Sequence, residues 1–282
     1  MGLIVRDGKC LLLDTGLDKD AARQALRAVE EVEAALEAVL ITHAHADHFG
    51  GTNFLQRRTH VPVYAPALEA AMMEHPIMEP LFLFGGAAPI RELRSKFTMA
   101  KPCRIDQIVE PGPQEIGPFQ VDIVALPGHA LGQIGLAVGR GLFCADALFP
   151  EETLTKHKVM FCVDLEQTLQ VLQELPAMDY EWFAPGHGPA YASGSEISGA
   201  CDLNRRLLTE IRDTVLEELE EGQRTAEVVR AVADQVGLQI SNATAFFLTR
   251  TTILAALSGL EKEGRVRASV EDNTLRWHRL DA

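Results

Sequence analysis

"AVLITHAHADHFGG", residues 38–51, places His43, His45, Asp47 and His48 within six positions, behind an apolar lead-in and ahead of the pair Gly50–Gly51. Ala38 to Ile41 reads as a short buried strand, and Phe49 to Arg58 as a helix that opens on the glycine pair. Imidazole and carboxylate together suit zinc, iron or manganese. In an extended loop alternate side chains point the same way, so His43 and His45 can share one ion. Asp47 and His48 fall at the start of the next turn and can reach a second. Two ions about 3.5–4 Å apart need more ligands, including a bridging anion.

Those ligands are found by following the strands. "VDIVALPGH" ends in His129, "GLFCAD" in Asp146 and "EWFAPGH" in His187. Seven side chains placed just after strands can converge on one sheet edge. His43, His45 and His129 then complete one site, Asp47, His48 and His187 the other, and Asp146 bridges them. Any one of these histidines alone reads as a surface or satisfied core residue; the combination reads as a metal centre.

The rest of the chain fits a layered α/β protein. A hairpin pattern occupies residues 1–14, and a helix is expected from Asp18, its cap, to about Glu37. "VPVYAP" is strand-like and "ALEAAMMEH" helical. Residues 75–104 have no clean period; they are either an ordinary covering loop or a lid over the site. "RIDQIV", "PFQVDIVALPGH", "GQIGLAVG", "GLFCAD" and "EWFAPGH" read as strands, and "DLEQTLQVLQEL" as a helix. From about Ser195 the pattern changes to three helices, the first running from Glu196 to about Gly222, and a terminal hairpin around the "EDN" turn. That is a winged-helix pattern, and it sets expected domains of 1–195 and 196–282.

Composition narrows the classes. The 282 residues are 47% apolar and 23% charged, ordinary for a chain with a sizeable core. No apolar stretch is read as long enough for a transmembrane helix, and the N-terminus lacks a signal-peptide pattern. Five scattered cysteines (10, 103, 144, 162, 201) without a CxxC pair read as reduced thiols in a cytoplasmic protein. The net charge is −14, and the part from Ala200 onward holds 11 basic against 14 acidic residues. That balance argues mildly against nucleic-acid binding, and a small-molecule substrate is the expected partner.

The set His43-x-His45-x-Asp47-His48, then His129, Asp146 and His187, resembles the metallo-β-lactamase superfamily, and "LLLDTG" (Asp14 to Gly16) matches its early strand-turn. The resemblance covers residues 1 to about 190. It implies an αβ/βα sandwich, two sheets face to face with helices outside and a dinuclear site at one edge. It also implies that Asp14 steadies the metal loop; a simple turn cap is the plainer role for that residue. A further strand that usually precedes the one at Gly2 has no counterpart here, which points to its absence or to a later start. Antibiotic-destroying members usually carry a secretion signal and another second-site ligand, and flavodiiron relatives replace the second histidine; neither pattern is present. The tail "ILAALSGLEKEGRVRASVEDNTLRW" is similar to the lactamase-β-like group that includes a mitochondrial endoribonuclease, and there the winged helix packs on the catalytic domain. Packing or homodimerisation is the expected use of the tail, with a DNA-binding wing as the alternative.

The function implied is a dinuclear metal-dependent hydrolase, zinc being the first expectation, in which a metal-bridging hydroxide cleaves an ester, thioester or lactone and Asp47 shuttles a proton. Met78, Phe82, Phe84 and Phe97 suit an apolar acyl group, while Lys156, His157 and Lys158 are either near a substrate's anionic end or simply solvated. The alternatives are an endoribonuclease acting on single-stranded RNA, a mononuclear-iron persulfide dioxygenase, and a ligand sensor with little turnover. A basic groove towards Arg205, Arg206 or Arg250 favours RNA; a closed apolar cavity favours the hydrolase.

Overall fold

The computed structural model describes residues 1–219 and 222–280. The chain divides into two compact units. The first comprises Met1–Leu126, Ala130–Ala145 and Tyr180–Gly186, and the second Pro127–His129, Asp146–Asp179 and His187–Ala282.

In the first unit β1 (Gly2–Arg6) and β2 (Lys9–Leu13) form the expected hairpin. Asp7 and Gly8 both have positive φ, 52° and 71°, as a two-residue turn matched to strand twist requires. Helix α1 (Lys19–Glu31) starts at Asp18, whose carboxylate accepts from the amides of Asp20 and Ala21. It stops earlier than the sequence suggests. Glu33 turns the chain with φ 50°, and residues from Ala35 join β3 (Ala35–Leu40), which runs parallel to β2. Helix-favouring residues here yield to sheet pairing.

A one-turn helix α2 (Ala46–Phe49) and α3 (Thr52–Thr59) replace the single expected helix, divided at Gly50–Gly51. Strand β4 (Val63–Pro66), helices α4 (Ala67–Glu74) and α5 (Met78–Leu83), and strand β5 (Gln107–Val109) follow. The first sheet runs β1-β2-β3-β4-β5. Strands β6 (Gly112–Ile116), β7 (Phe119–Ala125), β8 (Ile134–Val138) and β9 (Gly141–Ala145) make an antiparallel meander. Strand β10 (Trp182–Pro185) adds to β9 in parallel.

The period of two along β2 explains the layering. Leu11 and Leu13 face the second sheet, packing with Leu40, Phe119, Ile123 and Leu136. Leu12 points the other way, into a layer with Val39, Ala22 and Ala25 of α1, and Leu55 of α3. Both faces of the central strands are therefore buried, which is why they read as continuous apolar runs. Truncating Leu12 or Leu55 to alanine costs about 2–5 kcal/mol each.

The second unit holds α6 (Glu151–His157), α7 (Leu165–Glu174), the short β11 (Tyr191–Ala192), α8 (Ser195–Glu217), α9 (Thr225–Gln235) and α10 (Ala243–Lys262). The hairpin β12 (Val266–Glu271) and β13 (Thr274–Arg279) turns on Asp272 and Asn273, again both at positive φ. The expectation for the end of the first C-terminal helix includes residues 220 and 221, which lie outside the described residues. One core joins Cys162 and Leu165 to Ile211, Val215, Ile253, Leu257 and Val266. Helix α10 is long and apolar enough by length and composition to cross a membrane, contrary to the sequence expectation. Its Ile253, Ala256, Leu257 and Leu260 are fully buried in this core, so its apolar character has a packing cause.

Candidate metal centre

The first unit supplies the opening motif. The buried Thr42 and His43 follow the end of strand β3, and α2 begins one residue after His45. The His43 ring centre lies 4.6 Å from that of His45 and 4.0 Å from that of His48. Asp47 is the outermost of the four, its side chain 44% exposed. The glycine pair has a steric cause: a Cβ at Gly50 would strike the Leu17 carbonyl oxygen, and one at Gly51 that of Thr15.

Asp14 fixes the chemistry of two of these rings. It sits at φ 58°, an αL conformation that aspartate tolerates, and is buried. One carboxylate oxygen accepts from the Thr42 amide at 2.8 Å; the other accepts from the Thr42 hydroxyl at 2.9 Å and lies 2.8 Å from His48 Nδ1. A carboxylate only accepts, so His48 carries its proton on Nδ1 and its lone pair on Nε2. The Thr42 hydroxyl spends its one hydrogen on Asp14 and therefore accepts from His43 Nδ1, 3.0 Å away. His43 is thereby set to the same tautomer. This is how proteins orient imidazoles towards a metal.

Two acidic residues escaped the sequence reading. Glu69 on α4 is buried and accepts from the amides of Ala44 and Gly132, both at 2.8 Å. Burial pushes its carboxyl up, and the two amides pull back. It pins the loop between His43 and His45. Glu79 on α5 places Oε1 4.0 Å from His45 Nε2. Burial, then the charges of Asp47 and Glu69, hold its carboxyl well above the usual range. The signal available for Glu69 was a lone charge in the otherwise apolar "ALEAAMM"; Glu79 gave none.

The second unit supplies His129, Asp146 and His187. Asp146 Oδ2 lies 3.6 Å from His129 Nε2 and 3.4 Å from His187 Nε2. Each separation matches two ligand atoms sharing an ion, which at about 2.1 Å tetrahedral bonds sit roughly 3.4 Å apart. His129 Nδ1 donates to the Phe161 carbonyl at 2.8 Å, leaving the lone pair on Nε2. The chain reaches His129 through Gly128, φ 127°, whose carbonyl accepts from Val163 and Asp164 ahead of α7. After Asp146, Phe149 is clasped by both ends of the Asn204 amide on α8.

Within the first unit His43, His45 and His48 lie near one another, and within the second His129, Asp146 and His187 do; donors of these kinds fit divalent zinc, iron or manganese. Of the four apolar residues assigned to a pocket wall, Phe82 and Phe97 are exposed while Met78 and Phe84 are half-buried. Lys158 is bound to the Val236 carbonyl at 3.2 Å, and Lys156 is exposed.

Two facing sheets with helices on the outer side of the first, and histidine-aspartate loops at strand ends, define an α/β sandwich of the metal-binding kind. Residues 1–187 match the model of the metallo-β-lactamase superfamily, and the chain belongs to that superfamily. Hydroxyacylglutathione hydrolase of Citrobacter koseri is 31% identical over 145 residues, 51% of this chain and 44% of that protein. The match thus spans less than half the length of that relative. Among solved structures, a metallo-β-lactamase family protein from Thermus thermophilus superposes with TM-score 0.75 at 20% identity, over 99% of this chain and 92% of its own. A β-lactamase domain protein from Burkholderia ambifaria gives 0.74 at 18% identity, over 99% and 86%. Both show the shared fold, the C-terminal helices included.

Proposed function

We propose that the chain is a metal-dependent hydrolase that holds two divalent ions, zinc in the first instance. His43, His45 and His129 bind one, Asp47, His48 and His187 the other, and Asp146 is shared. The observation that carries this reading is the preset tautomer of His43, His48 and His129, each with Nδ1 committed to an acceptor and Nε2 left as the ligand atom. Such ions, when bound, activate water and polarise the oxygen of the scissile group. Asp14 and Thr42 keep the imidazoles oriented, Glu69 holds the loop, and the half-exposed Asp47 carboxylate takes up a proton from the reacting water or passes it on.

The bond cleaved is an ester, thioester or lactone. The name of the Citrobacter relative, a hydrolase of a hydroxyacylated glutathione, favours a thioester. Exposed Phe82 and Phe97 of the first unit suit an apolar acyl group. In the same reading residues 196–282 form a winged-helix-like part used for packing or self-association. The five buried free cysteines suit a cytoplasmic protein.

Metal analysis of the purified protein followed by a panel of thioesters, esters, lactones and single-stranded RNA tests this. Two equivalents of metal and turnover of an acyl substrate are expected, with activity of Asp146→Ala down by about 100-fold or more. Full activity and two metals in that variant would sink the bridging role, and cleavage of RNA alone would replace the hydrolase reading with an endoribonuclease.

A further inference from the structure

A groove of about 840 Å³ lies in the first unit between the start of α1, helix α3 and the segment after Ser95. Its walls carry five cations, Lys19, Arg57, Arg58, Lys96 and Lys101, against the single carboxylate of Asp18. That carboxylate is already engaged: it caps α1 and pairs with Lys96 at 3.1 Å. Among the described residues Lys19, Arg57, Arg58 and Lys101 form no ion pair. A chain of net charge −14 has thus gathered a net positive groove from three separated segments. Like charges so placed repel one another, and a bound anion removes that cost.

Leu17, Met99 and Phe54 add apolar lining, and the Arg23 guanidinium lies 5.3 Å from the centre of the Phe54 ring. Cations beside an aromatic side chain fit a ligand that combines phosphates with an aromatic ring. The volume lies within the range of small-molecule sites, about 300–1,000 Å³. A track for single-stranded RNA instead needs a continuous groove over several nucleotides. We propose that this groove binds a small phosphorylated nucleoside, the phosphates on Arg57, Arg58 and Lys101 and the base against Phe54. The proposal stands apart from the metal centre and does not depend on it.

The test is calorimetric titration of the metal-loaded protein with ADP, adenosine, inorganic phosphate and a single-stranded oligoribonucleotide. ADP is expected to bind, with adenosine and phosphate each at least about tenfold weaker, and with affinity falling as salt rises. The exposed pair Arg57→Ala and Arg58→Ala is expected to lose about tenfold or more in ADP affinity, and Lys101→Ala, on a different segment, to lose a part of it. The double variant keeps wild-type hydrolysis of a neutral acyl substrate, so failure here is distinguishable from failure of the metal-centre reading. No ADP binding near about 1 mM, or ADP affinity unchanged in both variants, overturns the proposal. So does oligoribonucleotide binding that outcompetes ADP and strengthens with length.

Discussion

Replacing Asp14 with asparagine isolates tautomer control from packing. The shape is kept, and the amide oxygen can still accept from the Thr42 amide, as the carboxylate does at 2.8 Å. The amide nitrogen then occupies the position that accepts from the Thr42 hydroxyl and from His48 Nδ1. Donor meets donor at both. His48 escapes by moving its proton to Nε2, which removes the lone pair from the ligand nitrogen, and the Thr42 hydroxyl turns away and weakens the hold on His43. Loss of such an outer partner costs about 10–100-fold in metal affinity, or about 1.4–2.7 kcal/mol. The metal-free protein loses less specifically, about 1.5–3 kcal/mol for one charge-assisted bond. Competition with a chromophoric chelator measures the first quantity, and urea unfolding of the metal-free variant the second. Wild-type affinity for both ions in Asp14→Asn would refute the tautomer reasoning, whatever happened to stability.

Two further outcomes follow from the same geometry. Glu69→Gln leaves one of the Ala44 and Gly132 amides without its acceptor, costing about 1–3 kcal/mol; hydrogen exchange at those two amides should quicken, and unchanged exchange counts against a pinning role. At α7, burial raises the Asp164 carboxyl, but the bonds from Gln167 and the nearby Lys262 charge outweigh it and hold it below the usual range. The unfolded chain, at about 3.9, therefore protonates first. The stabilisation is present above that value and is lost as pH falls through the folded one. Asp164→Ala should cost about 1 kcal/mol at neutral pH and markedly less near pH 2, read by denaturant unfolding.

The candidate ligand set was legible in the sequence because metal chemistry admits few residue types and strand ends announce where they fall. Asp14 was legible only through the resemblance that "LLLDTG" carries, since an aspartate closing an apolar strand also reads as a simple turn cap. Glu69 and Glu79 were not: each acts on another residue's backbone or ring, and such service leaves no spacing behind. The end of α1 was misplaced because "EVEAALEAV" favours helix locally, while the parallel pairing of β2 with β3 decides it from about 25 residues away in sequence. The basic groove was hidden by its assembly from three segments within an acidic chain, where a summed charge says nothing about neighbours in space.

The core of the second unit has a consequence for how the chain is made. Cys162 and Leu165 pack against Ile253, Leu257 and Val266, residues synthesised about 100 positions later. At ribosomal speeds of about 5–20 residues per second, α7 meets α8 first and waits roughly 5–20 seconds for α10 and β12. During that interval the part of its apolar face that α10 covers and the Cys162 thiol are open to the cell, while the long apolar helix α10 arrives among the last. A chaperone that shields short apolar helices on nascent chains would find its principal client here in α7, not in the sheets.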